Sequence, residues 1–288
     1  MRVGHLGPAG TYSEEAALRH AGAEPVAFPT LPDTIAAVAA GEVELAVVPI
    51  ENSLEGSVGV TLDTLAARED VTITGELVLP IHVHLVAREM LDPGDVEEVV
   101  SHPQPLAQCA AYLRRRLPQA RTVPASSTAE AVRQVVQEDG VRRAALGPRR
   151  AAELYGAVIV EEDVADEPGN ATRFVWVARA HAGHATVGED PGAEDAGVLM
   201  RTSLAFSGQG DREPGWLVRC LSEFAFRGVN LSKIESRPLR SGIGHYRFFV
   251  DCDGGLGSPA VREAVAGLRA HCTEVRVLGS YPRERQVH

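Results

Sequence analysis

The sequence predicts an α/β protein that ends in a small βαββαβ unit. Residues 1–178 alternate short apolar runs with helix-period segments, the pattern of strands joined through helices in largely parallel sheets. Residues 197–281 repeat neither that spacing nor that order and read strand, helix, strand, strand, helix, strand. Between them, residues 180–196 turn small, acidic and rich in Pro and Gly, too poor in apolar surface to order themselves, and read as a linker.

Taken in order, Arg2–Leu6 reads as a buried strand, stopped by the turn residues Gly7-Pro8-Ala9-Gly10. Thr11 with Glu14 three residues later forms a capping-box pattern, which sets the start of the first helix. Pro25–Phe28 is a strand, Pro32–Ala40 a helix closed by Gly41, and Leu45–Pro49 a strand that feeds the polar run Ile50–Ser57. A second cluster begins near Gly75. Its strands are Leu77–Leu79, Ile81–Ala87, Val99–Ser101, Arg121–Val123 and Ala144–Gly147; its helices are Pro103–Leu117, Thr128–Glu138 and Pro148–Tyr155. Val158–Glu161 and Thr172–Ala178 close this part. After the linker come strand Gly197–Phe206, helix Gly215–Phe226, strands Leu231–Arg237 and His245–Cys252, helix Pro259–Ala270 and strand Val275–Leu278. That order is ferredoxin-like. A unit this small is expected to bury a sheet edge or helix face by oligomerisation.

At 288 residues, 44% hydrophobic and 23% charged, the chain has room for two or three cores of ordinary composition. A net charge of -11 argues against nucleic acid as a partner but leaves small anions open, because local Arg placement outweighs the global balance. Lys233 is the only lysine. No apolar run approaches the ~18 residues of a membrane span. Residues 1–7 lack a signal-peptide core, so a cytoplasmic protein without membrane contact is expected. Cys109, Cys220, Cys252 and Cys272 are widely spaced and read as reduced, mostly structural thiols.

Five polar loops carry the candidate chemistry: Gly7–Ser13, Glu51–Ser57, Ser101–Gln108, Ser126-Ser127-Thr128 and Gly169-Asn170-Ala171-Thr172-Arg173-Phe174. Each is rich in hydroxyls, amides or backbone N–H groups, and several open a helix, where unpaired N–H donors favour carboxylates. In succession, beside predicted strands, they point to a cleft for a small anion. No dinucleotide fingerprint, phosphate-binding loop with lysine or nucleophile elbow is present. His82 and His84 share a strand face but lack a third ligand nearby, so no metal is expected. His5 and His102 read as structural, and His181 and His184 as solvated. Glu51 and Glu55 are a candidate carboxylate pair, although a site for an anion would turn one away.

In family order, these blocks resemble the prephenate dehydratase family over nearly the whole chain. Gly7-Pro8-Ala9-Gly10-Thr11-Tyr12-Ser13-Glu14, Val48–Ser57, Ser101–Cys109 and Asn170–Phe174 match its successive motifs, and Glu235-Ser236-Arg237-Pro238 resembles the mark of an ACT regulatory domain. The resemblance implies a two-lobed catalytic domain like type II periplasmic binding proteins over 1–179, with lobe one at about 1–74 and 162–179 and lobe two at about 75–161. An ACT domain over 197–281 and a tail at 282–288 follow. It also implies conversion of prephenate to phenylpyruvate, water and carbon dioxide without a cofactor. Thr172 is then the hydroxyl that helps the departing oxygen, with Arg173 either polarising it or clamping a carboxylate. Asn52, Ser101 and Gln108 orient the substrate. Thr11, Ser13, Ser53, Glu55, Ser126, Ser127, Thr128 and Phe174 complete the substrate set.

The same resemblance implies that phenylalanine or another aromatic amino acid binds the ACT unit. Gly215, Trp216, Leu217, Asn230, Leu231, Glu235, Ser236, Arg237 and Pro238 are the effector candidates, in a homodimer or homotetramer. Trp216 stands where the family carries alanine; it either reshapes the effector site, relaxes its selectivity or packs at a subunit contact. Ala144-Ala145-Leu146-Gly147-Pro148 also departs from a commoner Gly-Ser form. With no chorismate mutase segment before Met1, a monofunctional enzyme is expected. The rivals are an arogenate dehydratase and a non-catalytic, two-lobed sensor of small anions.

Overall fold

The computed structural model describes residues 1–138, 141–180, 198–208, 213–239, 242 and 244–284. The linker expectation therefore lies outside the described residues apart from Ala180 and, within the tail, so do residues 285–288. In chain order the elements are β1 Arg2–Leu6, α1 Tyr12–Leu18, β2 Glu24–Phe28, α2 Leu31–Ala40, β3 Leu45–Asn52, β4 Gly56–Ser57 and α3 Gly59–Ala67. Then come β5 Val71–Pro80, β6 His84–Ala87, β7 Glu98–Ser101, α4 Pro103–Gln108, α5 Ala110–Arg116, β8 Arg121–Pro124, α6 Thr128–Gln137, β9 Arg143–Gly147, α7 Arg149–Tyr155, β10 Val158–Glu161 and β11 Ala171–Arg179. The last part holds β12 Met200–Ser207, α8 Trp216–Ala225, β13 Leu231–Pro238, β14 Tyr246–Asp253, α9 Pro259–His271 and β15 Glu274–Pro282. Among the described residues no helix is long and apolar enough to cross a membrane.

The chain divides into two compact units, Met1–Thr34 with Asn52–Gly56 and Leu79–Thr172, and Ile35–Glu51 with Ser57–Val78 and Arg173–His288. In the first unit β1 and β2 pair in parallel, and a five-stranded sheet runs β10-β6-β9-β7-β8. That sheet is mixed where largely parallel pairing was expected. β7 pairs in parallel with β8 and β9, while β6 runs antiparallel to β9 and β10. Val83, Leu85, Val99, Tyr112 and Leu146 fill one face; Val86, Val100, Val132 and Ala145 fill the other.

The helix expected over Pro103–Leu117 is broken at Cys109. The Asp166 carboxylate accepts from the Ala111 and Tyr112 N–H groups at 2.7 and 2.8 Å, capping α5 with a side chain remote in sequence. Ser127 caps α6, its hydroxyl accepting from the Glu130 N–H. Thr11 caps α1 as its pattern predicts, but Glu14 does not reach back to the cap. Its carboxylate accepts instead from Gly10 N–H at 2.7 Å and from Arg150 at 3.2 Å. Gly10 holds φ +86, and a Cβ there would lie 3.2 Å from the Ala151 Cα, so the loop requires glycine.

In the second unit, strands follow the order β13-β14-β12-β15-β5-β11-β3. The antiparallel set β13-β14-β12-β15, with α8 and α9, has the strand and helix order read from the sequence. Its core joins Leu204, Phe206, Trp216, Phe224, Val250, Val265 and Leu268, each burial worth roughly 1.5–3 kcal/mol. Cys220 and Cys272 are free thiols with sulfurs 3.6 Å apart. β15 meets β5 at Gly279 and Ile73, where a Cβ on Gly279 would sit 2.3 Å from the Ile73 carbonyl oxygen. Only glycine allows that approach.

Candidate active site

Gly169, at φ +79, turns the chain into β11, so that Asn170, Ala171 and Thr172 arrive consecutively at the strand start. They meet the end of β3. The Ser53 N–H donates to the Ala171 carbonyl at 2.9 Å, and the Ala171 N–H donates to the Ser53 hydroxyl at 3.0 Å. Asn52 is the hub of this junction. Its Oδ1 accepts from the Leu54 and Glu55 N–H groups, both at 3.0 Å, which fixes the amide orientation. Nδ2 then donates to Thr172 Oγ1 at 3.0 Å, Asn170 Oδ1 at 2.8 Å and the Ala171 carbonyl at 3.2 Å. From Asn170 the network continues to Gln108 Oε1 at 3.4 Å, and Gln108 Nε2 donates to Glu55 at 3.2 Å.

Asn52, Ser53, Glu55, Gln108 and Thr172 are thus brought together. Asn170 joins them and is missing from the sequence-derived site set, although it sits inside the signature hexapeptide. A donor on Thr172 Oγ1 draws electron density from the hydroxyl and leaves its proton for another acceptor. Thr172 is buried.

The structure separates several other candidates from this group. Ser101 is wholly buried, and its hydroxyl donates to the Leu146 carbonyl at 2.7 Å, a bond that ties β7 to β9. Phe174 is a core side chain. The Thr11 hydroxyl is spent twice within its own loop, donating to the Leu6 carbonyl at 3.1 Å and accepting from Glu14 N–H. Ser13 is buried, Ser126 is exposed, Ser127 is the helix cap and Thr128 is the first residue of α6.

Arg173 corrects the sequence reading most. Successive strand residues face opposite sides, and the Arg173 guanidinium donates to Asp251 at 2.6 Å, Glu51 at 3.0 Å and Glu76 at 3.3 Å. Burial disfavours the Arg173 charge, but Asp251, Tyr281, Glu76 and Glu51 outweigh it and raise the group above the usual arginine range. Neither polarisation of Thr172 nor a substrate clamp fits a guanidinium so engaged.

A cavity of about 270 Å³ in the first unit is lined by Tyr12, Pro80, His82, His84, Pro148 and Asp163, among others. The two imidazoles do share a face, with rings stacked at 6.4 Å. His82 Nδ1 pairs with Asp163 at 2.7 Å, and the Asp163 N–H donates to His84 Nδ1 at 3.2 Å. Burial holds His84 below the usual imidazole range, so it accepts as the neutral ring. Among the described residues no group of His, Cys, Asp and Glu is arranged for a metal.

The effector candidates divide. Trp216 is buried, with its indole N–H donating to the His271 carbonyl at 2.7 Å and its ring centroid 6.1 Å from Phe206 and 5.9 Å from Phe248. It packs its own core rather than a subunit contact. Lys233, Glu235 and Arg237 line one side of β13. Their partners are Glu51 and Ser57, Ser57, and a bidentate Asp63 at 2.7 Å. Glu235 and Arg237 are therefore held within the protein, not paired with each other. Asn230 donates to Asp253 at 2.8 Å. Ser236 and Pro238 are exposed, Gly215 is the left-handed cap of α8, and Leu217 and Leu231 pack beside the core.

Known proteins share this arrangement of sequence and fold. The family model for prephenate dehydratase matches residues 3–182. A prephenate dehydratase of Amycolatopsis methanolica is 38% identical over 284 residues, covering 98% of this chain and 88% of that protein. A solved prephenate dehydratase from Arthrobacter aurescens, in complex with L-Phe, is similar with TM-score 0.85 and 36% identity, over 98% of this chain and 90% of that one. GqqA, described as a novel type of quorum quenching acylase, is similar with TM-score 0.86 and 27% identity, over 99% and 98%. The matched region spans both halves of the Asn52–Thr172 junction, and the chain belongs to the prephenate dehydratase family.

Proposed function

We propose that this chain converts prephenate to phenylpyruvate, with Thr172 as proton donor to the departing hydroxyl and Asn52 as the group that polarises and aims it. The observation that carries this is the 3.0 Å bond from Asn52 Nδ2 to Thr172 Oγ1. In the reaction the bond from ring to carboxylate breaks and releases carbon dioxide, and its electron pair enters the ring. The ring C–O bond breaks at the same time, and the leaving oxygen takes a proton to become water. The ring becomes aromatic, so the enzyme needs orientation and one well-placed donor rather than a strong base. An N–H donated to Thr172 Oγ1 favours this role over a nucleophilic one, because it withdraws the density that attack on an amide would need. Gln108, Asn170 and Glu55 hold the Asn52 side of the junction through their chain of hydrogen bonds.

In this reading residues 1–179 form the catalytic region, built like a type II binding protein. Residues 197–281 form an ACT domain that binds an aromatic amino acid, with 180–196 as linker and 282–288 as tail. The match of the family model to residues 3–182 and the antiparallel β12–β15 set support that division. Gly215, Asn230, Ser236 and Pro238, the last two on the exposed side of β13, are the effector candidates that remain accessible.

The test is Thr172→Val, which keeps the β-branched shape and removes the hydroxyl, set against Thr172→Ser. Phenylpyruvate release should fall by about 100-fold or more in the valine variant, with substrate binding largely spared, and recover in part with serine. A valine variant that keeps a tenth of the parent rate would exclude Thr172 as donor.

A further inference from the structure

Glu51 precedes Asn52 and Arg173 follows Thr172, so the two strands that present the amide and hydroxyl carry a second pair on their opposite faces. Arg173 and Glu51 meet at 3.0 Å, and the pair continues into a larger cluster. Arg173 also bonds Asp251 at 2.6 Å and Glu76 at 3.3 Å; Arg201 bonds Glu76 at 2.5 Å; Lys233 bonds Glu51 at 3.0 Å. Three cations thereby face three carboxylates, and every side chain but Glu51 is exposed by 10% or less. Asp251 is itself held by the Ser203 hydroxyl at 2.6 Å, which shares a hydrogen bond with the Tyr281 hydroxyl at 2.7 Å. Asp251, Arg201, Ser203, Lys233 and Tyr281 all come from β12–β15. The one lysine of an otherwise arginine-only chain is spent here.

We infer that this cluster makes Arg173 and Glu51 positioning residues for Thr172 and Asn52, and that Asp251 is the group through which β14 sets where Arg173 sits. The inference rests on the proposed role of Thr172. Buried charges of this kind are stable only when every one is matched, so the cluster has one low-energy arrangement and resists small displacements. Removing a single carboxylate leaves Arg173 with surplus positive charge and two remaining anions on other strands. The guanidinium resettles toward them, and the peptide bonds to Thr172 and from Glu51 to Asn52 carry the shift to the hydrogen-bonded pair. A donor displaced by a fraction of an ångström still hydrogen-bonds water but no longer meets the leaving oxygen, and a 1 Å misplacement can cost roughly 100-fold in rate. A ligand that moves β13 or β14 acts on the same two contacts, through Lys233 and Asp251.

Asp251→Asn in the full-length protein tests this, because it keeps shape and the acceptor for Ser203 while removing the charge. The rate constant for phenylpyruvate formation should fall about tenfold or more with KM within threefold, while in a Thr172→Val background the same change should leave the residual rate unaltered. That non-additivity separates positioning from a structural role, which would lower both backgrounds alike. Additive losses, or an unchanged rate in Asp251→Asn, overturn the inference. A Thr172→Val single variant that keeps a tenth or more of the parent rate would instead overturn the donor assignment, so the two failures are told apart. If Asp251→Asn does not fold, Lys233→Met enters the same cycle at the other end of the cluster, and additivity there overturns the inference equally.

Discussion

If Thr172 is the donor proposed above, Asn52→Asp should convert its hydroxyl from a donor toward substrate into a donor toward the enzyme. The structure gives the reason atom by atom. Asn52 Oδ1 accepts two backbone N–H groups at 3.0 Å, and a carboxylate oxygen in its place can keep both. The other position now donates to Thr172, Asn170 and Ala171 and would become a second acceptor. Thr172 then turns its only proton toward that carboxylate. Loss of one aimed donor at a developing oxyanion costs roughly 100- to 1,000-fold, about 2.7–4 kcal/mol in the barrier. Stability changes less. The two backbone N–H bonds become charge-assisted, which offsets part of the cost of leaving Asn170 Oδ1 and the Ala171 carbonyl without a donor and facing the new carboxylate oxygen, so the melting temperature should fall by a few degrees. Acid reverses the loss of rate. The oxygen that replaces Oδ1 is committed to N–H donors, so a proton added to the new carboxylate must reside on the oxygen facing Thr172, where it restores a donor. The rate constant of Asn52→Asp should therefore rise as pH falls from 7 toward 5, with the protonated fraction growing about tenfold per unit above a carboxyl value of about 4. Asn52→Ala has no such group and should stay low throughout. Steady-state assays of phenylpyruvate release across that range, with thermal melts alongside, decide it. A neutral-pH rate within threefold of the parent in Asn52→Asp, or a flat profile matching Asn52→Ala, would refute the reasoning.

Two further expectations concern the scaffold. Arg121 first, then Arg143, hold the Glu98 carboxyl below the usual glutamate range against the opposing effect of burial. A depressed folded-state value means that this contribution is present above the unfolded value of about 4.3 and is lost as pH falls through the lower, folded one. Glu98→Gln should cost about 1–2 kcal/mol at neutral pH, because Arg121 and Arg143 reach solvent, and should flatten the acid limb of a stability profile; an unchanged acid limb would remove Glu98 from the account. Trp216→Ala should cost about 3–5 kcal/mol through a cavity beside Phe206 and Phe248 and an orphaned His271 carbonyl. An unchanged melting curve with an altered response to aromatic amino acids would place Trp216 in a ligand pocket instead.

What the sequence could express was local. Strands such as Arg2–Leu6 and Val158–Glu161, and the cap at Thr11, follow from short-range composition and stand as read, whereas Ser127, read as a substrate contact, caps α6. The helix Gly59–Ala67 escaped because it opens on Gly and Val, carries apolar residues on every side, and satisfies Thr61 and Thr64 through hydroxyl bonds to the Pro49 and Val60 carbonyls. The break at Cys109 depends on Asp166, far along the chain, and no local signal announces it. The site divides in the same way. Its blocks were visible, but the bond between Asn52 and Thr172 joins residues separated by 120 positions, and only the fold pairs them.

Arg173 is the instructive miss, because the physics needed was already in the sequence. Neighbours on a strand cannot serve one face, so a hydroxyl aimed at substrate places the next side chain on the other side. The same rule puts Glu51 opposite Asn52. Once both members of each dipeptide are assigned, the alternation supports the proposal that a neutral amide and hydroxyl do the chemistry. The charges beside them are turned into Asp251, Glu76 and Lys233 and neutralised there, where a guanidinium neither competes with the hydroxyl of Thr172 nor draws the substrate out of line.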